Sequence, residues 1–307
     1  MAPQTSISAR AWIELTLLAI IWGASFLAIR TALDEIGPLT VVFFRVGIAA
    51  VVLWGWIWLR GLPLPKGAAL WRAGLVMGLL NNVLPFTLMA WGQLHITTGL
   101  TSILNATTAI WGALVASLAF ADERLTPRRA LGIALGFGGV AMAIGPAALG
   151  GLELANLGQF AVIAGTLSYA LAGVWGRRHL SNLRPEVAAA LMLTGASALI
   201  LPLMLAVEGL PPLQLAPITL TAVLYYAVIA TAFAYLLYYR ILAMAGASNL
   251  MLVTLMIPPI AIALGALVRG ETLPPNAWAG FGLLALGLLV LDGRVWARLA
   301  RRGVTRV

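Results

Sequence analysis

The 307-residue chain has no cysteine. That removes disulfides, thiolate metal sites and cysteine nucleophiles from consideration, and leaves the redox compartment unread. Charge is scarce as well. Only 9% of residues are charged against 62% hydrophobic, whereas soluble domains run near a quarter charged, so a soluble fold is excluded in favour of an integral membrane protein. With two histidines, the chain shows neither an HExxH run nor clustered His and Asp nor a facing Ser/His pair. The sequence therefore supplies no enzyme machinery, and no cofactor or metal is implied. The net charge of +9 does not point to nucleic acid, because the arginines sit in short connections and the tail rather than on one folded face.

What the chain does contain is long apolar runs. A span of the hydrocarbon core needs about 20 apolar residues in a helix. Hydropathy predicts ten such spans, at 12–33, 39–59, 71–94, 98–119, 129–147, 157–176, 186–206, 217–239, 247–268 and 276–293. Turn chemistry separates them: Gly61 to Pro65, Gly145-Pro146, Gly209 to Pro212 and Pro274-Pro275. Arg10 precedes the first run like the basic region of a signal peptide, but the run lacks a clear cleavage site and more spans follow. An uncleaved anchor is the expectation. Lys and Arg collect on one side (Arg10, Arg60, Lys66, Arg72, Arg124, Arg128, Arg129, Arg177, Arg178, Arg184, Arg240 and the tail) while the other keeps Arg269, plus Arg30 and Arg45 inside or at the edge of spans. The positive-inside rule then puts both termini in the cytoplasm. The arginine-rich tail from Arg294 to Arg306 reads either as a solvated stop-transfer segment or as a lipid-surface helix.

The chain also repeats itself. Moved 147 positions, Trp22-Gly23 meets Tyr169-Ala170, Arg30 meets Arg177, Pro38 meets Pro185 and Gly99 meets Gly246. At an offset of 148, Glu123, Leu125, Pro127 and Gly132 meet Glu271, Leu273, Pro275 and Gly280. Five spans per half is an odd number, so the halves must be inverted relative to each other. Inverted repeats suit alternating access around a site near the midplane. The expected domains are a first five-helix repeat at 1–148, a second at 149–293 and a basic cytoplasmic tail at 294–307.

A transported polar solute needs walls that replace its hydration, so polar and aromatic residues at mid-depth are the candidates. Asn81 and Asn82, with Pro85 and Phe86 one turn on, read as a substrate-binding pair or as interhelical hydrogen bonds; Pro85 frees the Asn81 carbonyl. Thr101, Asn105 and Thr108 share one helical face, with Trp111 nearby. Trp22 and its repeat mate Tyr169 lie too deep for an interfacial belt and could stack on substrate or attract an ammonium. Trp175, Tyr235, Tyr238 and Tyr239 read as belt residues. Pro258-Pro259 predicts a kink or hinge. Arg45 lies inside a span, where it meets a substrate carboxylate, joins an outer gate, or serves as a structural clamp by snorkelling or by pairing with Asp34 or Glu35. Gly74, Gly78, Gly132, Gly136 and Gly280 read as packing seams or dimer faces. No Asp or Glu stands at mid-depth, so facilitated export or exchange is expected rather than a carboxylate proton relay.

Ten spans in two repeats, Trp22-Gly23-Ala24-Ser25-Phe26, Pro38, Arg45, and the Glu123-x-Leu125-x-Pro127 and Glu271-x-Leu273-Pro274-Pro275 loops together resemble the EamA branch of the drug/metabolite transporter (DMT) superfamily. Within it, the chain is similar to the YddG-type exporters. The family's usual lysine is Arg30 here, which keeps the charge and changes the hydrogen-bond geometry. The resemblance implies an all-α bundle of ten transmembrane helices in two inverted five-helix repeats, in the bacterial inner membrane. It also implies export of aromatic and other neutral amino acids, or of other small amphipathic metabolites or drugs, by a monomer or homodimer.

Overall fold

The structure is a computed structural model that describes residues 8–145, 153–212, 214–250 and 252–292; the basic tail lies outside them. The described residues form ten principal helices and no strand. They are α1 (Ala9–Ala32), α2 (Pro38–Leu59), α3 (Ala68–Gly92), α4 (Thr98–Ala119), α5 (Pro127–Ile144), α6 (Leu154–His179), α7 (Pro185–Val207), α8 (Pro217–Ala245), α9 (Val253–Arg269) and α10 (Pro275–Asp292). Among the described residues, eight helices are long and apolar enough to cross a membrane. Two more complete the ten: the shorter α9, at 17 residues, and α5, as long as α10 but beginning with the charged Pro127-Arg128-Arg129.

Helix starts follow local chemistry. Pro38, Pro127, Pro185, Pro217 and Pro275 each open a helix, where the missing amide costs nothing. The Ser8, Thr97 and Thr126 hydroxyls cap α1, α4 and α5 by accepting backbone N–H groups. Two caps come from across the bundle. The Glu208 carboxylate, at the end of α7, accepts the Leu39 and Thr40 amides of α2, and Glu35 accepts the Ala216 amide just before α8.

Helix pairing is two-fold symmetric. α5 packs along α10, α2 along α7 and α4 on α9; α1 lies on α9 as α6 lies on α4; α3 meets α7 as α8 meets α2, and α3 meets α6 as α8 meets α1. Exchanging helix n with helix n+5 maps this set onto itself. Between lipid-embedded helices the hydrophobic effect adds little, so close contact must supply the attraction. Glycine provides it at the α5–α10 seam: a Cβ at Gly132 would stand 2.8 Å from the Leu291 nitrogen, and one at Gly287 would stand 2.6 Å from the Gly136 nitrogen. Gly74 and Gly78 make the same approach to Leu191, Met192 and Ala196 of α7. These glycines are intrachain seams.

The repeat also shares its irregularities. A π-helical turn occupies Leu79–Val83 in α3 and Tyr225–Phe233 in α8, at matching places in the two halves. α4 is interrupted after Asn105 and resumes at Thr108, while a short helix at Ala247–Leu250 precedes α9. Pro258 and Pro259 lie inside α9, which runs through both. The helical assignment thus continues past the predicted kink or hinge position, and the interruption ahead of α9 corresponds in the repeat to the one inside α4.

Candidate functional site

The irregular turns surround a central cavity of 380 Å³ walled by α1, α2, α3, α4, α6, α7, α8 and α9. That lies within the range of about 300–1,000 Å³ typical of small-molecule sites. π turns recur at functional sites because they leave backbone groups outside the regular ladder. Here those groups fix side chains. In α3 the Leu84 amide donates to the Leu79 carbonyl, five residues back. Pro85 has no amide for the Leu80 carbonyl, which instead accepts the Ser168 hydroxyl of α6 at 2.6 Å. The carbonyl that Pro85 releases to an outside donor is thus Leu80 rather than the expected Asn81, because the π turn shifts the register by one. In α8 the Ala230 carbonyl accepts the Trp22 indole N–H at 3.1 Å, and the Tyr226 carbonyl accepts the Thr231 hydroxyl at 2.7 Å.

The Thr231 oxygen in turn accepts Nε of Arg45 at 2.9 Å. The Arg45 guanidinium lies over the Phe86 ring, 3.8 Å from its centroid. Phe86 meets Tyr169 edge-on at 6.4 Å. Arg45 makes no ion pair among the described residues. Asp34 pairs with Arg30 and Arg269, and Glu35 caps α8, so the clamp expected from the sequence is absent.

Seven of the candidate residues singled out from the sequence border the cavity: Trp22, Arg45, Asn81, Phe86, Asn105, Thr108 and Tyr169. Asn82, Thr101 and Trp111 do not. Asn82 is fully buried, and its amide, like that of Asn81, approaches the Tyr235 hydroxyl, at 3.5 and 3.3 Å. Thr101 follows the polar stripe of α4 into the stretch covered by α9, where Gly99 packs near Ile262, and its hydroxyl bonds back to the Thr97 carbonyl at 2.9 Å. Trp111 packs edge-on against Phe137 of α5 at 4.7 Å. Asn105 and Thr108, beyond the interruption of α4, remain in the wall.

Tyr235, Tyr238 and Tyr239 correct the belt expectation, since α8 turns all three into the cavity and Tyr238 packs against Trp22 with centroids 5.9 Å apart. Trp175 is engaged within the bundle, donating to the Ala73 carbonyl of α3 at 3.0 Å. Sequence reasoning also passed over Gln93, Ser25 and Met192 in the wall. Met192 had a legible signal, being the repeat mate of Arg45.

Ion pairs tie the ends of helix pairs. The outermost turn of α1 and the end of α9 are joined through Asp34 with Arg30 and Arg269; on the opposite face, α6 and the segment after α4 are joined through Arg177 and Asp122. The hydrogen bond from Arg269, with Arg30 beside it, holds the Asp34 carboxyl below the usual carboxylate range. Arg177 does the same for Asp122. Glu14, buried in α1, accepts Arg240 of α8 and Arg10, joining α1 to α8 near the chain's first described turn.

Known proteins place this arrangement. Residues 11–145 and 156–291 each match the EamA-like transporter family. The chain is 26% identical over 302 residues to a probable terminal-alkyne amino-acid exporter of Streptantibioticus cattleyicolor, covering 95% of this chain and 96% of that one. It is 25% identical over 282 residues to a probable amino-acid metabolite efflux pump of Salmonella typhimurium (89% and 92% covered) and 26% identical over 246 residues to a transporter of Archaeoglobus fulgidus (80% and 84% covered). A crystal structure 17% identical in sequence superposes with a TM-score of 0.66 over 92% of this chain and 97% of its own, which concerns the fold alone. The family and these relatives are transporters rather than enzymes, and a multi-pass helical bundle with two matches to one family repeat carries the conclusion: the chain belongs to the EamA-like transporter family.

Proposed function

We propose that this protein exports amino acids, aromatic and other neutral ones, from the bacterial cytoplasm by alternating access around the central cavity. In this reading 1–148 and 149–293 are the two moving halves, both termini and the tail 294–307 are cytoplasmic, and the inner membrane is the site of action. The observation that carries it is the composition of the wall. Ring faces at Trp22, Phe86, Tyr169 and Tyr238 suit an apolar or aromatic side chain, while Asn81, Asn105 and Arg45 supply hydrogen bonds for a polar head. The exporter and efflux-pump names of the two relatives support the same substrate class.

Among the described residues no Asp or Glu borders the cavity, and in this reading no wall carboxylate carries a proton with the substrate. Uptake of labelled amino acids into liposomes holding the purified protein, with competition across an amino-acid panel, tests the proposal. Saturable, competable uptake that persists without an imposed proton gradient is expected. No flux for any amino acid contradicts the reading, and strict gradient dependence contradicts its uncoupled form.

A further inference from the structure

We infer that the cavity recognises its substrate through the carboxylate and does not require the ammonium, so that the substrate class is monoanionic carboxylates with an apolar or aromatic body, amino acids being its zwitterionic members. The inference rests on the transporter reading above and sharpens it.

The argument begins with charge. Among the described residues, the cavity wall carries one charged side chain, Arg45, and no carboxylate. An arginine inside a membrane bundle is costly unless it is paired or faces a wet space. Arg45 has only partial compensation: Nε is spent on Thr231, and Phe86 covers one face of the guanidinium. Its two terminal nitrogens have no hydrogen-bond partner among the described residues, and they are not sealed from the cavity. Two parallel N–H groups presented into a low-dielectric space fit the two oxygens of one carboxylate, a geometry that lysine cannot reproduce.

The holder is rigid. The Thr231 proton goes to the Tyr226 carbonyl five residues back in the π-helical stretch, which leaves the oxygen lone pairs for Arg45. The fork is thereby oriented before any ligand arrives, and little ordering cost remains at binding.

Nothing comparable serves an ammonium. A positive head must lose its hydration against ring faces and neutral oxygens, with the like charge of Arg45 in the same cavity. The ring pair Trp22 and Tyr238 softens that cost without cancelling it. Removing or masking the amine of a substrate therefore helps binding, while masking its carboxylate weakens it.

The test holds the aromatic body fixed and varies the head. Binding of phenylpyruvate and N-acetyl-L-phenylalanine (anions), L-phenylalanine (zwitterion) and L-phenylalaninamide (cation) is measured by titration calorimetry on the full chain in nanodiscs. The expected order is anion, then zwitterion, then cation, with at least tenfold between the ends. The variant R45Q is expected to collapse that ratio toward one, and R45K to keep the order with weaker anion binding. Amide binding as tight as the anions, or an unchanged ratio in R45Q, would overturn the inference and leave amino-acid export standing. Failure of every head group to bind the wild-type chain would overturn the export reading itself, and this inference with it. The wild-type series decides the matter even where a variant folds poorly.

Discussion

The two halves of the molecule agree in scaffold and differ in chemistry. Each has a π turn in its third helix, an interruption at its fourth and a glycine seam in its fifth. Yet Arg45 of the first half faces the cavity where the second half offers its mate Met192, and the second half answers with Thr231 and three tyrosines of α8 whose mates in α3, Leu84, Leu88, Trp91 and Gly92, do not border the cavity. On the proposed alternating-access reading, the difference teaches that the repeat would supply the moving parts and the departures from it the selectivity. A symmetric backbone can exchange its two shapes, whereas a substrate with unlike ends needs unlike walls.

The comparison breaks most visibly at the seam. Gly132 and Gly280 are repeat mates, and each lies against the backbone of the other helix, so neither neighbour can yield by turning a side chain. Gly132→Leu and Gly280→Leu should each lose about 3 kcal/mol or more, read as matched falls in thermal unfolding temperature in detergent. A large fall for one and none for the other would deny the scaffold its symmetry.

Next in size is the pair that should not match. Arg45→Met should cut amino-acid flux roughly tenfold to a hundredfold, the scale of a charge-assisted hydrogen bond, with folding stability unchanged or raised because an unpaired charge leaves the bundle interior. Met192→Ala should cost flux far less. Equal losses from the two variants would show that the wall is not polarised around Arg45.

Smaller again is the π turn of α3. Pro85→Ala restores an amide that competes with the Ser168 hydroxyl for the Leu80 carbonyl, at a cost of about 1 kcal/mol. Flux should fall a few-fold, and proteolytic resistance should hold.

The ion pairs at opposite faces give the smallest effects. Asp34→Asn should cost less than about 1 kcal/mol, since the carboxylate is half exposed and screened; Asp122→Asn, on an exposed carboxylate, should cost less still. Both carboxyls titrate below the usual carboxylate range, so their stabilisation is fully present above that range and lost as pH falls through their lowered values. Unfolding scans of wild type and Asp34→Asn should accordingly differ by a constant amount near neutrality and converge only in strong acid. A difference that vanished near neutral pH would exclude Asp34 as its source.

Much of the fold was legible because lipid simplifies the code. Backbone groups must pair within a segment, so long apolar runs can only be helices, and the predicted spans fall within a few residues of the helices at nearly every boundary. The exceptions are the end of α8, which runs six residues past the predicted 239 to Ala245, and the start of α9, where hydropathy runs unbroken from 247 while the long helix begins at Val253. The site was legible where a polar or aromatic residue stands alone at mid-depth, as with Trp22, Asn81, Asn105 and Tyr169. It was not legible where two chemistries use the same residue type: a tyrosine near a span end reads as a belt whether it faces lipid or the cavity, and only the rotation of α8 decides. Thr101 failed for the complementary reason, because helical phase names a face and not the neighbour that covers it. The π turns left one trace in sequence, Pro85, and none in α8.

The central claim is that the cavity between the two halves is a passage reached from both sides in turn. The absence of native cysteine makes it directly testable, since a single Thr108→Cys in the cavity wall introduces a unique thiol. Labelling with a membrane-impermeant maleimide in right-side-out and inside-out vesicles should modify this thiol from either side, and saturating L-phenylalanine should slow both reactions. Modification from one side only, or rates indifferent to substrate, would contradict the account.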